Sequence, residues 1–147
     1  WERIPCGTLL TPHPGEMSRL TGIKISEIQS NRQYICKYYA QKWSTTIVLK
    51  GANTVISAPT GETWISPWSD PVLAVAGTGD VLSGLIVGFM AQGISVEKSA
   101  VLAVYAHGLA GEQFSKTVGG SGMFASDLLR LLPMCIESLK EEKVCEI

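Results

Sequence analysis

Several features of other protein classes are missing from this 147-residue sequence, and each absence narrows its function. No uninterrupted apolar run approaches the roughly 18 residues that a membrane-spanning helix needs, so we expect no membrane partner. The 12 Lys and Arg residues are balanced by 13 Asp and Glu residues and form no basic stripe. Nucleic acid is therefore not an expected partner, whereas a small nucleotide would need only a local pocket.

Cysteine pairs at metal-binding spacing are also missing. None of the four cysteines forms a C-x-x-C pair or has a neighbouring His, so the sequence predicts no protein metal site; they are Cys6, Cys36, Cys135 and Cys145. Four cysteines could form two disulfides, but the apolar surroundings of Cys36 and Cys135 favour buried free thiols in a reducing compartment.

The N-terminus lacks a natural start. The run Trp1–Pro5 contains no Met and does not have the pattern of a signal peptide. We therefore expect a cytoplasmic protein whose beginning is missing. Apolar residues (46%) and charged residues (17%) occur in globular proportions, and the length suits one core, so residues 1–147 are predicted to form a single domain.

The order of predicted elements indicates an α/β fold with a largely parallel sheet flanked by helices. Strands are predicted at Thr8–Leu10, at the fully apolar Thr45–Leu49, and in a hairpin of Thr54–Ala58 with Thr63–Ser66. Helices are predicted after the N-cap Ser26 to about Trp43, then over residues 80–92, 96–114, 125–132 and 133–140.

The turn Gly77-Thr78-Gly79 carries the strongest chemical signal. Two glycines let backbone N–H groups converge, and the helix that follows adds its unpaired N–H groups and its dipole. This combination predicts an anion site for a phosphoryl group, and Asp80 could take a proton from a hydroxyl there. On this local pattern alone, Asp80 could instead be a simple helix cap. The turn is neither a Walker A loop nor a Rossmann fingerprint, because Lys-Ser/Thr does not follow it and no suitable strand leads into it.

Five runs together resemble a known family. The run Ala76–Gly84 is similar to the signature of the ribokinase-like superfamily, and the run L-T-P-H-P-G-E-M that begins at Leu10 is the most discriminating of the rest. The others are Val48–Thr54, Ala106–Glu112 and Ala125–Leu128. In order and spacing, over nearly the whole chain, these runs resemble the NAD(P)H-hydrate dehydratase family.

The resemblance implies a ribokinase-like layered fold and a repair reaction. Hydrated NADH or NADPH would be phosphorylated by ADP or ATP, with Mg²⁺, and loss of phosphate would restore the nicotinamide double bond. By position, Asp80 would bind substrate and act as the catalytic base, and His13 would contact the hydrated nicotinamide. The nucleotide would be bound by eight residues: Lys50, Gly51, Ala52, Asn53, Thr54, Gly77, Thr78 and Gly79.

Several alternatives stay open beside this interpretation. His13 could merely fix a loop, and His107 is expected to be a packing histidine. The sequence has Ser69-Asp70-Pro71 where the family usually has Gly-Asn-Pro, and the family's N-terminal portion is absent. The chain could instead be a small-molecule kinase, of the hydroxymethylpyrimidine or hydroxyethylthiazole type, or a nucleotide-binding remnant without turnover. The resemblance further implies a homo-oligomer, a tetramer or larger.

Overall fold

The computed structural model of the chain describes Pro5 and residues 7–141. The strands are β1 (Leu9–Leu10), β2 (Thr46–Leu49), β3 (Val55–Ser57) and β4 (Thr63–Ile65). The helices are α1 (Pro14–Thr21), α2 (Ile25–Ser30), α3 (Arg32–Trp43), α4 (Thr78–Ala91), α5 (Val96–Thr117) and α6 (Ala125–Glu141), with a short 3-10 turn at Pro71–Leu73. This arrangement confirms the predicted α/β class.

The four described strands form one sheet in the order β1-β2-β3-β4. The β1–β2 pair is parallel, with Leu9 opposite Thr46, but the β2–β3 and β3–β4 pairs are antiparallel. The prediction of a largely parallel sheet is therefore wrong for the described strands. Because β3 and β4 are the two arms of the predicted hairpin, their short connection forces them to run in opposite directions.

Strand β2 is buried on both faces, as its uninterrupted apolar sequence predicts. On one face Ile47 and Leu49 pack with Ile35 and other side chains of α3. On the opposite face Val48 packs in a second cluster, with α4 and α5 side chains such as Leu82. The sheet is thus covered by helices on both sides, and the end of β2 is held between two layers of core.

The predicted helix from Ser26 to Trp43 is two helices in the structure. Asn31, at φ −131° and ψ 35°, leaves the helical conformation between α2 and α3. Ile28 and Ile35 are nonetheless both buried, on either side of the break. The apolar periodicity therefore continues across Asn31, and for this reason it did not indicate the interruption.

Two further helix boundaries differ from those expected. Helix α4 begins at Thr78, two residues before Asp80, and its N-cap is Gly77 at φ 89°. Helix α6 continues through Pro133, where the sequence predicts two separate segments. Proline removes one helical hydrogen bond, and here neighbouring packing of Leu132 and Cys135 in the α5–α6 core keeps the helix together.

The prediction of buried free thiols is confirmed for the two cysteines that the structure describes. Cys36 and Cys135 are buried free thiols, and burial raises the pKa of both. Cys6 and Cys145 lie outside the described residues. Within residues 5 and 7–141, no helix has the length and apolar character needed to cross a bilayer.

Candidate functional site

A cleft of about 1040 Å³ opens where the ends of β1 and β2 meet the start of α4. Two segments at this cleft recur below: the lysine loop, Lys50–Thr54, and the glycine turn, Gly77–Gly79. Nine of the ten predicted site residues line the cleft, and Asn53 does not. Residues that are distant in sequence are thus brought to one cavity, whose volume is typical of small-ligand sites.

The glycine turn has the geometry that its sequence predicts. Gly77 adopts φ 89°, a left-handed conformation that favours glycine, and a Cβ there would lie 3.1 Å from Ala125 Cβ. Among the described residues, the backbone N–H groups of Gly77 and Gly79 have no hydrogen-bond partner. Free donors at the positive end of a 14-residue helix make the turn a suitable binding site for an anion.

Two buried, uncharged side chains hold the glycine turn in place by hydrogen bonds. The Thr78 hydroxyl lies 2.8 Å from the carbonyl oxygens of both Leu73 and Val75. His107 Nε2, on α5, lies 3.0 Å from the Thr78 carbonyl oxygen and donates to it. Burial lowers the pKa of His107 despite this hydrogen bond, so the ring is neutral near pH 7. His107 is buried and hydrogen-bonded, as expected of a packing histidine; it also lines the cleft, and it supports Thr78, a predicted site residue.

Asp80 lies in the first turn of α4 with an exposed side chain. Its carboxylate has no hydrogen bond or ion pair with any residue that the structure describes. The alternative that Asp80 caps the helix is wrong, because Gly77 is the N-cap and no side chain caps α4. The carboxylate lines the cleft and is free to act on a ligand.

His13 and Glu16 form a reciprocal cap at the start of α1. His13 Nδ1 accepts hydrogen bonds from the N–H groups of Gly15 (3.0 Å) and Glu16 (3.1 Å), and Glu16 Oε2 accepts one from the His13 N–H at 2.6 Å. Because Nδ1 accepts, the hydrogen of the neutral ring is on Nε2. His13 lines the cleft, where its Nδ1 fixes the loop and its Nε2 lies 3.4 Å from Glu16 Oε1, so a ligand that contacts Nε2 would share it with that carboxylate.

The Glu16 carboxylate also connects the start of α1 with the lysine loop. Its Oε2 atom lies 3.5 Å from Lys50 Nζ. Partial burial favours the protonated acid, but the His13 N–H and the Lys50 charge together outweigh it and lower the pKa of Glu16. On its other side Lys50 reaches the glycine turn, since a Cβ on Gly79 would lie 3.2 Å from Lys50 Nζ. Glu16 was not among the predicted site residues, and its contact with Lys50 is a finding of the structure.

The backbone of the lysine loop is held from both sides. The Lys50 N–H donates to Pro12 O at 2.8 Å, and the Arg32 guanidinium on α3 donates to the carbonyls of Leu49 (2.9 Å) and Lys50 (3.3 Å). Arg32 was not among the predicted site residues. Arg32 is distant from Lys50 in the sequence and lies within a predicted helix, so no local pattern indicates this contact.

Asn53 has a structural position in the lysine loop rather than a place in the cleft lining. It adopts φ 50°, a left-handed conformation that Asn tolerates. Its side-chain amide donates to Ser66 O at 3.1 Å, and its backbone N–H donates to Trp68 O at 2.9 Å. Asn53 therefore fastens the lysine loop to the segment that follows β4.

That segment, residues 66–74, forms one wall of the cleft by lying against small residues of α5. A Cβ at Gly108 would overlap the Trp68 indole, and one at Gly111 would lie 2.7 Å from Leu73 Cγ. Trp68 also packs edge-to-face on Tyr105, with ring centroids 5.6 Å apart. The two glycines thus allow the wall to approach the helix closely.

Asp70, the residue found where the family usually has Asn, caps the short turn in this wall. Its Oδ1 atom accepts a hydrogen bond from the Val72 N–H at 2.9 Å. Asn and Asp both supply an oxygen for such a bond, so the exchange preserves the local structure. The described residues contain no group of three His, Cys, Asp or Glu side chains placed to hold a metal.

The chain matches one protein family by sequence. Residues 2–134 match the family model described as NAD(P)H-hydrate dehydratase. A bifunctional NAD(P)H-hydrate repair enzyme of Moorella thermoacetica is 45% identical over 134 residues, which are 91% of this chain and 25% of that protein. The ADP-dependent (S)-NAD(P)H-hydrate dehydratase of Bacillus subtilis is 38% identical over 85% of this chain and 45% of its own length.

Solved structures agree with the sequence relatives. The Bacillus subtilis ADP/ATP-dependent NAD(P)H-hydrate dehydratase, co-crystallised with ATP and Mg²⁺, superposes with a TM-score of 0.86 at 37% identity. The match covers 88% of this chain and 47% of that one. A ribokinase-like protein of Enterococcus faecalis gives a TM-score of 0.72 at 32% identity, over 88% of this chain and 44% of its own. The predicted ribokinase-like fold is confirmed, and the chain spans less than half the length of these relatives.

Proposed function

The chain belongs to the NAD(P)H-hydrate dehydratase family, and on that premise we propose that it provides the nucleotide-binding part of an ADP- or ATP-dependent dehydratase. The substrate would be hydrated NADH or NADPH. The observation that carries the proposal is the cleft where Asp80, Lys50 and His13 meet beside the glycine turn. This constellation combines a free carboxylate, a cation and an anion-binding helix terminus.

In the first step, the hydroxyl on the hydrated nicotinamide ring attacks the terminal phosphoryl group of the nucleotide. A new O–P bond forms, the bond to the nucleotide's leaving oxygen breaks, and Asp80 takes the hydroxyl proton. In the second step, the C–O bond breaks, phosphate leaves, and loss of a proton from the neighbouring ring carbon restores the double bond. The exposed, unpaired carboxylate of Asp80 supports its assignment as the base.

The nucleotide phosphates are assigned to the glycine turn and the lysine loop. Lys50 Nζ lies beside Gly79, so one cation and the free N–H groups of the turn can contact the same phosphoryl oxygens. The backbone from Gly51 to Thr54 is assigned to the adenine nucleotide. Within that stretch Asn53 acts through the loop conformation, because its side chain is engaged with Ser66.

The residues present fit Mg²⁺ as a companion of the nucleotide. In phosphoryl transfer Mg²⁺ is usually bound by phosphates with one or two carboxylates, and Asp70, which has no other proposed role in the reaction, lines the cleft. The ion would neutralise charge that develops on the transferred phosphoryl group. A homo-oligomer of four or more subunits and a cytoplasmic location remain predictions that rest on the resemblance and the sequence.

The test combines calorimetric titration with ADP and ATP and a turnover assay with hydrated NADH. Wild-type protein should bind nucleotide and release NADH with inorganic phosphate. Asp80→Asn should reduce turnover by about 10²–10⁴-fold with little change in nucleotide affinity, since a general base contributes that much. Asp127→Asn is the matched control, because Asp127 lies outside the cleft lining and caps α6 through an oxygen that Asn retains.

Two other outcomes would each indicate a different function. A stable phosphorylated product in place of NADH would indicate a small-molecule kinase. Nucleotide binding without turnover would indicate a binding remnant. Absence of nucleotide binding in the wild-type protein would falsify the proposal.

A further inference from the structure

Arg32 stands out because its charge is partly buried with no acidic partner among the described residues. Its guanidinium contacts Gln29 Oε1 at 3.0 Å and the two carbonyls at the end of β2, while its Nε atom is buried and has no hydrogen-bond partner in the part of the chain that the structure describes. Removing a cation from water without a counter-ion is costly. We therefore expect Arg32 to have a role that offsets the free-energy cost of burying its charge.

The contact depends on the residue that follows Lys50. Gly51 adopts φ 139°, and a Cβ there would lie 3.0 Å from Arg32 Nη1 and 3.2 Å from Nη2. The guanidinium therefore lies directly against the Gly51 backbone, an approach that only glycine permits without displacement. Arg32 and Gly51 together determine how the chain leaves β2 and enters the lysine loop.

We propose that Arg32 is a positioning residue for nucleotide binding, which fixes the peptide groups at Leu49 and Lys50 so that Lys50 Nζ and the Gly51 and Ala52 backbone meet the phosphates. The inference rests on the proposed nucleotide site and adds a residue to it that does not line the cleft itself. The planar guanidinium suits this task because one of its nitrogens, Nη2, holds its hydrogens in a fixed plane and donates to both carbonyls, whereas the Lys ammonium rotates on a flexible stem.

The principal test is Arg32→Lys in the intact protein, with ADP and ATP titrated by calorimetry. This variant keeps the positive charge and removes the paired hydrogen bonds. We expect nucleotide affinity to fall by about tenfold or more, as the loss of hydrogen bonds from a charged donor implies. Gln29→Ala is the matched control, because it removes the other Arg32 contact at the exposed side and leaves both carbonyl bonds; its affinity should stay within about twofold of wild type.

A second measurement separates positioning from general stability. Amide hydrogen exchange at residues 50–54, without nucleotide, should become faster in Arg32→Lys than in Gln29→Ala, while exchange at the glycine turn stays unchanged. Arg32→Ala should recover nucleotide affinity when ethylguanidinium is added, since the small cation can occupy the vacated position. If Arg32→Ala is insoluble, Arg32→Lys and the exchange measurement still decide.

The outcomes distinguish this inference from the proposed function. Wild-type affinity in Arg32→Lys, or a uniform rise in exchange over the whole chain, would overturn the positioning role. If wild-type protein binds no nucleotide, the proposed function fails. In that case faster exchange confined to residues 50–54 would still support Arg32 as the residue that fixes the lysine loop.

Discussion

The lysine loop and the glycine turn lie side by side at one cleft, but different chemistry holds each of them. The lysine loop is fixed by charged and partly exposed partners, namely the Arg32 guanidinium and the Glu16–Lys50 ion pair. The glycine turn is fixed by buried neutral groups, the Thr78 hydroxyl and the His107 ring. One side of the site should therefore respond to salt and to charge substitutions, and the other to packing and to protonation.

The largest effect is expected on the side of the glycine turn. His107→Ala removes a buried ring together with the hydrogen bond that it donates from α5 to the Thr78 carbonyl. We expect a loss of about 2–4 kcal/mol in the free energy of unfolding, from the cavity and the lost hydrogen bond. Urea denaturation at pH 7.5 measures this change. A variant as stable as wild type would show that the turn does not depend on α5.

The pH dependence of the same variant provides its control. Folding keeps His107 neutral, whereas the unfolded residue titrates near its ordinary pKa of 6.5. Just below this pKa, the unfolded state therefore binds more protons than the folded state. The contribution of His107 to the free energy of unfolding is complete above this pKa and declines as the pH falls below it. The stability difference between wild type and His107→Ala should narrow below pH 6.5 and stay constant above it.

An intermediate effect is expected where the wall of the cleft meets α5. In Gly108→Ala the new methyl group would overlap the Trp68 indole, and overpacking of this kind costs about 1–3 kcal/mol. Because Trp68 O accepts the Asn53 N–H, the displacement should reach the lysine loop as well and weaken nucleotide binding. Denaturation, Trp fluorescence and calorimetry report the three consequences.

Gly88→Ala is the matched glycine control for that variant. A Cβ at Gly88, on α4, has nothing within 4 Å. The substitution should stabilise the helix by about 0.5–1 kcal/mol through backbone entropy and leave nucleotide affinity unchanged. Equal behaviour of the two alanine variants would show that the wall does not depend on the small residue of α5.

The smallest effect is expected on the side of the lysine loop. Glu16→Gln keeps an oxygen for the His13 N–H and removes the charge beside Lys50. The pair is partly exposed, so we expect a loss of only about 0–1 kcal/mol, which salt should diminish. Since the pKa of Glu16 is lowered on folding, the stabilisation is present above the ordinary value of 4.5 and is lost as the pH falls through the folded value.

Glu62→Gln is the control for that small change. Glu62 is exposed, and its carboxylate has no hydrogen bond or ion pair with any residue in the described ranges, since the Thr60 hydroxyl accepts only from the Glu62 backbone N–H. Its substitution should leave stability unchanged at every salt concentration. A loss in Glu16→Gln that persists in high salt would indicate that hydrogen bonding, rather than charge, holds the lysine loop.

Local patterns explain why much of the site was predictable. The glycine turn follows from neighbouring residues, because glycine spacing and the helix start lie within one short run. The burial of β2 likewise follows from its own apolar sequence. In both cases the physical cause lies within a few residues of its effect.

Long-range geometry explains what was missed. Arg32 contacts the lysine loop at Lys50, 18 residues further along the chain, and Glu16 meets Lys50 only because β1 pairs with β2. The directions of β3 and β4 were misjudged because the expectation of parallel strands was extended over a hairpin that the sequence itself had indicated. The break at Asn31 was hidden because the buried face continues through it.

The glycine at position 108 has a consequence for how this part of the molecule can diverge. The indole at position 68 occupies the volume that any side chain at position 108 would require. The two positions should therefore covary: an alignment of relatives should pair a large aromatic ring at 68 with glycine at 108, and a smaller residue at 68 with alanine or serine there. A large side chain at one position thus requires a small one at the other, although the two positions are forty residues apart in the chain.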